Sequence, residues 1–222
     1  LQSYEAHLDD VLRSLERCLE LLNQFLSNYE KLDEWLKNSE EIVHEDMRPL
    51  CTKQEKLTAY QRFQKNHDEL VGQKPTFESL SDIVSDLEAL DSDPSITQMM
   101  SKLTIEYQSQ IALSQDVLRR LEGHYNDHDA FDNKCTDFEN WITDFDEELE
   151  ELSNRQTDQV SIHQLQNELK NCGNNYETGR QKLCTVEEFA GRTKQFTNKA
   201  GCEVIDTAVE ALRSHLINIG MQ

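Results

Sequence analysis

"DEWLKNSE", residues 33–40, and "ENWITDFD", residues 139–146, hold the only two tryptophans of a 222-residue chain. A tryptophan is costly to leave in water, so each polar stretch should present one large ring to an interior. The two rings, Trp35 and Trp141, stand 106 residues apart, and the likeness spreads outward from them. At that offset Phe25 matches Phe131, Leu32 matches Phe138 and Leu36 matches Ile142. Further on, Phe63 matches Leu169, Leu70 matches Tyr176, Phe77 matches Leu183 and Leu90 matches Phe196. After "TNKAGCE", residues 197–203, the offset becomes 109, and Ile96, Leu103 and Tyr107 match Ile205, Leu212 and Leu216. A three-residue insertion in that loop accounts for the slip, so one unit occurs twice.

Within each unit the apolar residues follow a period of 3.5. Tyr4, Leu8, Val11, Leu15, Cys18, Leu22, Phe25, Tyr29, Leu32 and Leu36 alternate in steps of four and three. Such a seam predicts a helix over 2–46, ended by Pro49 and wound into a left-handed supercoil. A second helix fills 53–91, and Pro75 should bend it. "DSDP", residues 91–94, stops that helix and caps the next. The third pattern runs from Ile96 to Leu152 with no proline inside it. At 1.5 Å per residue it makes a helix roughly 85 Å long. Its polar seam entries, Gln110, Ser114, His124 and His128, cluster mid-helix and predict a loose, partly wet stretch. A fourth helix covers 158–197, weakened at Gly173, Gly179 and Gly191, and a fifth covers 202–220.

A heptad helix cannot bury its seam alone, and three helices joined by short connections can. The expected fold is all-α: two tandem three-helix left-handed coiled-coil bundles, joined by a continuous helix that serves both. Trp35 and Trp141, followed by Leu36 and Ile142, are the expected core markers.

Composition narrows the function classes. The chain has 43 acidic and 22 basic residues, a net charge of -21. That field repels phosphate backbones and anionic lipid heads, so neither nucleic acid nor a membrane surface is an expected partner. The seven glycines and three prolines are too few for a sheet protein. Six cysteines show no CxxC spacing, which reads as reduced thiols in a cytosolic compartment. No leader sequence or long apolar run is present in this stretch, and it is expected to be an excerpt of something longer.

The 106-residue unit, the Trp-Leu or Trp-Ile pair in its first helix, the proline partway along its second and the unbroken linking helix resemble the spectrin-repeat family. The resemblance covers essentially the whole chain. Trp35 and Trp141 stand where the family has its core tryptophan. It implies that residues 1–18 are the tail of a preceding helix, 19–122 one repeat and 123–222 a second with a truncated third helix. It also implies a structural rod segment of a large cytoskeletal linker: a force-bearing spacer and docking scaffold, cytoplasmic and cytoskeleton-associated. The acidic balance and reduced thiols suit nesprins, which would add a link between actin and the outer nuclear membrane through other parts of the protein. Plakins, dystrophin-like proteins and spectrins fit as well. Under a second reading the piece is a dimerisation or adaptor module, as in the rod of alpha-actinin.

Nothing in the chain reads as an enzyme. "GNNYETGR", residues 173–180, lacks the spacing of a phosphate loop, no GxSxG occurs, and the cysteines have no placed base. No cofactor is expected. "HYNDH", residues 124–128, sets two histidines at i and i+4, but structural zinc wants four ligands, so the expectation is a soft seam and no metal. The remaining candidates are protein-docking faces. Lys53, Lys56, Arg62 and Lys65 form the densest basic stretch of an acidic chain. Arg119, Arg120, Tyr125 and Asp129 fall where one repeat gives way to the next. Asp144, Glu148 and Glu151 share one helical face within "DFENWITDFDEELEE", residues 137–151, which has eight acids and no base. Lys170, Arg180 and Lys182 of the following helix are the expected counter-charges. The partners expected on such faces are cytoskeletal or actin-regulatory proteins, and the fragment is expected to be a monomer. Direct actin binding is disfavoured because the filament is acidic too.

Overall fold

The computed structural model describes residues 2–45, 48–90, 93–154 and 162–221. Among them every regular element is a helix, α1 Gln2–Glu45, α2 Lys53–Gly72, α3 Lys74–Ala89, α4 Ser95–Asn154, α5 Ile162–Lys194 and α6 Lys199–Gly220, with one isolated parallel bridge between Leu50 and Thr197. The expected ends at residues 46, 91 and 158 lie outside the described residues. The chain divides into two compact units. The first comprises residues 1–48 and 59–120, the second 49–58 and 121–222.

The first unit packs α1, α3 and the beginning of α4. Phe25, Leu32 and Leu36 of α1 meet Phe77, Leu80, Val84 and Leu87 of α3 and Ile96, Met100, Leu103 and Tyr107 of α4. The second unit repeats the plan with the rest of α4, α5 and α6. Phe131, Phe138, Ile142 and Phe145 pack with Leu183, Val186 and Ala190, and with Ile205, Val209, Leu212, Leu216 and Ile219. Both cores draw on positions that the heptad pattern marks. Burial of the matched residues at about 25 cal/mol per Å² of apolar surface is what holds each trio together. The start of the α1 seam is different: Tyr4 and Leu8 are 82% and 65% exposed, and the supercoil pattern there has no core to join.

Local chemistry sets the helix ends. Thr52 and Glu55 form a reciprocal cap on α2, with the Glu55 amide donating to Thr52 Oγ1 at 3.1 Å and the Thr52 amide donating to Glu55 Oε2 at 3.1 Å. Asp93 caps α4 by accepting from the Ser95 amide at 2.9 Å, which holds its carboxyl below the ordinary range. Asn198 caps α6 by accepting from the Gly201 amide at 2.9 Å. That cap corrects the reading of "TNKAGCE" as a loop: helix resumes at Lys199.

Pro75 does more than bend its helix. The chain breaks at Gln73, and Pro75 sits in the first turn of a separate helix, α3. Proline has no amide to give Val71 and its ring crowds that carbonyl, so the ladder is interrupted. The Leu70 carbonyl at the break accepts from the Gln73 amide at 3.2 Å and from the Tyr107 hydroxyl at 2.9 Å. Tyr107 also stacks on Phe77, centroids 3.9 Å apart.

The polar middle of α4 is hydrogen-bonded to the helices packed against it. Ser114 is completely buried and lies 2.9 Å from His67 Nδ1. Gln110 donates from Nε2 to the Leu36 carbonyl at 3.0 Å. These side chains are tied to neighbouring helices, while Gln110 Oε1 is buried without a partner, so the hydrogen bonding of the seam is only partly satisfied.

Candidate docking surfaces

The tryptophans mark the cores without being their deepest members. Leu36 and Ile142 are 2% and 1% exposed, while Trp35 and Trp141 are half-buried against the same clusters. Trp141 lies between Phe138 and Phe145, with centroids 5.6 and 5.4 Å away. Its far edge rests on Gly179 of α5. A β-carbon at residue 179 would stand 2.1 Å from Trp141 Cη2, so only glycine admits the ring there.

The basic stretch of α2 does not form one exposed face. Lys53 and Lys56 belong to the second unit, Arg62 and Lys65 to the first. Lys65 is exposed, with its nitrogen 3.8 Å from Glu69. Arg62 is exposed too. Lys53 is drawn onto α4, with its ammonium 2.7 Å from Asp129 and 3.1 Å from Asp132. The Asp129 hydrogen bond raises the Lys53 pKa and lowers that of Asp129 in return. Lys56 is only 2% exposed. Its Nζ donates to Thr197 Oγ1 at 2.8 Å, and burial lowers its pKa, partly offset by the Asp127 carboxylate. A docking partner cannot reach it.

Why a lysine is tolerated there follows from its surroundings. Thr197 donates its own proton to the Thr193 carbonyl, leaving an oxygen lone pair for the ammonium. Thr193 Oγ1 in turn lies 3.0 Å from the Asp127 carbonyl of α4. Leu50 accepts from the Asn198 amide at 3.2 Å, and a β-carbon on Gly201 would stand 2.4 Å from the Cys51 carbonyl oxygen. Residues 49–58 thus seat tightly on the turn between α5 and α6. Sequence reasoning missed this cluster because a buried lysine inside a charged run has no periodic signature.

The other candidates stay at the surface. Arg119 and Arg120 of the first unit both approach Asp116, at 3.9 and 2.6 Å, and are exposed. Tyr125 of the second unit is half-buried. Asp144, Glu148 and Glu151 are exposed on α4. Glu148 accepts from Asn175 Nδ2 of α5 at 3.0 Å. The expected counter-charges do not meet this face: Arg180 pairs with Glu177 of its own helix at 3.3 Å, and among the described residues no ion pair joins Lys170 or Lys182 to α4. The acidic face therefore keeps its charge.

The two histidines of "HYNDH" part company. His124 stacks on Phe196, centroids 3.8 Å apart. His128 is 8% exposed beside Phe131, and its Nδ1 is buried with no hydrogen-bond partner. Among the described residues no three His, Cys, Asp or Glu side chains converge as metal ligands. The six cysteines are unpaired. Burial pushes the Cys135 thiol up to about 11, away from nucleophilic behaviour. Among the described residues no helix is long and apolar enough to cross a membrane.

No protein-family model matches the chain. It is 25% identical over 211 residues to Muscle-specific protein 300 kDa of Drosophila melanogaster, an alignment that covers 95% of this chain and 2% of that protein. It is also 25% identical over 224 residues to human Nesprin-2, covering 93% of this chain and 3% of that protein. The chain thus spans a small fraction of the length of these curated relatives. All-helical in its regular elements and built on a tryptophan-marked repeat, the chain is similar over nearly its whole length to these two much longer proteins, one of them a nesprin.

Proposed function

We propose that the chain is a structural rod segment of a large cytoskeletal linker, a spacer that bears force and offers helical faces to docking proteins. The observation that carries this reading is α4, 60 residues of helix from Ser95 to Asn154 whose first part belongs to one core and whose remainder belongs to the other. A helix of this length cannot be extended without breaking its backbone hydrogen bonds and pulling two apolar seams into water. The size of the relatives supports the same reading. Nesprin-type kinship favours a cytoplasmic setting linked to actin and the nuclear envelope through other parts of the full protein. The exposed faces at Asp144, Glu148 and Glu151 and at Arg119 and Arg120 are the docking sites we favour for cytoskeletal or actin-regulatory proteins.

The test is mechanical. The chain is stretched between handles in an optical trap. Cooperative, reversible unfolding steps that sum to a contour of roughly 750 Å, about 3.4 Å per residue, are expected. Smooth extension with no steps sinks the spacer reading. Light scattering separates the second reading: a monomer supports the spacer, whereas an antiparallel dimer supports an adaptor module.

A further inference from the structure

We propose that His128 is an acid-sensitive latch that fastens residues 49–58 to the second unit and lets go when it gains a proton. The inference rests on a closed cluster of named groups. From α2 come the ammonium of Lys56, 2% exposed, and that of Lys53, held between Asp129 and Asp132. From α4 come His128 itself, 8% exposed, with Asp132 acting on it, Asp129 and Asp132 holding Lys53, and Asp127 acting on Lys56. One turn earlier on α4, His124 is stacked on Phe196. The α5–α6 side brings Thr197 and Cys202 to Lys56, and Thr193 to the Asp127 carbonyl.

Neutral imidazole suits this place. Its Nδ1 is buried and unpartnered, so a proton added to the ring there would find no acceptor. Burial first, then the charges of Lys56 and Lys53, push the His128 pKa down against the opposing pull of Asp132. The sign follows. A base whose folded pKa lies below its unfolded value contributes stability above the unfolded pKa, near 6.5, and that stability is lost as pH falls through the folded pKa. On protonation a third cation enters a buried site whose two ammonium groups are already matched by Asp127, Asp129 and Asp132, and burial together with Lys56 and Lys53 outweighs the pull of Asp132 on the new charge. Both ammonium groups sit on residues 49–58, so the repulsion acts on that segment. Its other attachments, the Leu50 carbonyl to the Asn198 amide and Lys56 to Thr197, are the ones to open.

The experiment is hydrogen exchange on the full chain, corrected for intrinsic rates, at about pH 7.5 and about pH 5.5, either side of the ordinary histidine pKa. Amides of residues 50–58 should lose protection by several-fold, with about tenfold the ceiling for one histidine between these two pH values, while those of α3 change little. His128→Phe should keep that protection at the lower pH. Should that variant fail to fold, His128→Gln and Lys56→Met serve instead, and each should shrink the response. An unchanged response in these variants would assign it to His124 or to carboxylates and overturn the proposal. No response in the wild-type chain would overturn it equally.

Discussion

Replacing Gly179 with alanine sets two effects against each other in a single methyl group. Glycine inside a helix costs about 1 kcal/mol relative to alanine, so on backbone grounds Gly179→Ala should stabilise α5. The Trp141 ring opposes it. The new β-carbon would fall 2.1 Å from Cη2 and 2.5 Å from Cζ3. Carbon atoms prefer about 3.5–4 Å, so the indole must retreat by roughly 1.5 Å. It cannot slide along its own face, because Phe138 and Phe145 flank it. Overpacking of this kind costs about 1–3 kcal/mol, and lost stacking adds about 0.5–1.5 kcal/mol if the ring swings outward. The net expectation is a loss of about 1–2 kcal/mol. Gly173→Ala and Gly191→Ala are internal controls, since nothing lies within 4 Å of their β-carbons. Each should gain up to about 1 kcal/mol. The assay is urea unfolding followed by the fluorescence of Trp141 in a Trp35→Phe background, with equal slopes required of all variants. Three glycines that respond alike, with Gly179→Ala as stable as the other two, would refute the packing argument.

Tyr107→Phe removes the hydroxyl that serves the Leu70 carbonyl at the α2–α3 break and should cost about 1 kcal/mol in a thermal melt, with no change at Phe77. Leu36→Ala and Ile142→Ala should cost about 2–5 kcal/mol each, as much as or more than Trp35→Ala, because they and not the indoles are fully buried; denaturant midpoints give the ranking. Asp129 has its pKa held down by Lys53, so its share of stability is present above the ordinary aspartate pKa and is lost as pH falls through the depressed value. Lys53→Gln should therefore flatten the acid limb of a stability–pH curve below about pH 4, and an unchanged limb would mean that the ion pair is energetically idle.

The features legible in the sequence were those that repeat. Two tryptophans at one offset and an unbroken four-three rhythm from Ile96 to Leu152 led to α4, and α4 leads to both cores. What stayed illegible was local. Gly179 reads as a weak point until the indole above it is seen. At the matching offset the first unit has Gln73, where the helix itself is interrupted. A pattern that compares only apolar positions cannot register that two units meet the same position with different backbones. Lys56 was misread for a related reason. Charge runs usually face water, and nothing in "CTKQEKL" distinguishes the lysine that turns inward from the one that does not. The candidate docking faces at Asp144 and Arg119 were legible as exposed charge, while the closed cluster at His128 needed three elements placed in space.

Residues 49–58 carry a consequence for how such chains can be cut and recombined. They precede most of the first core in sequence yet are part of the second compact unit. A break drawn at the apparent repeat boundary near residue 122 would strip the downstream piece of ten residues that the turn at Asn198 is built to hold. A deletion or recombination should therefore be tolerated best when residues 49–58 stay with, or leave together with, the downstream residues 121–222.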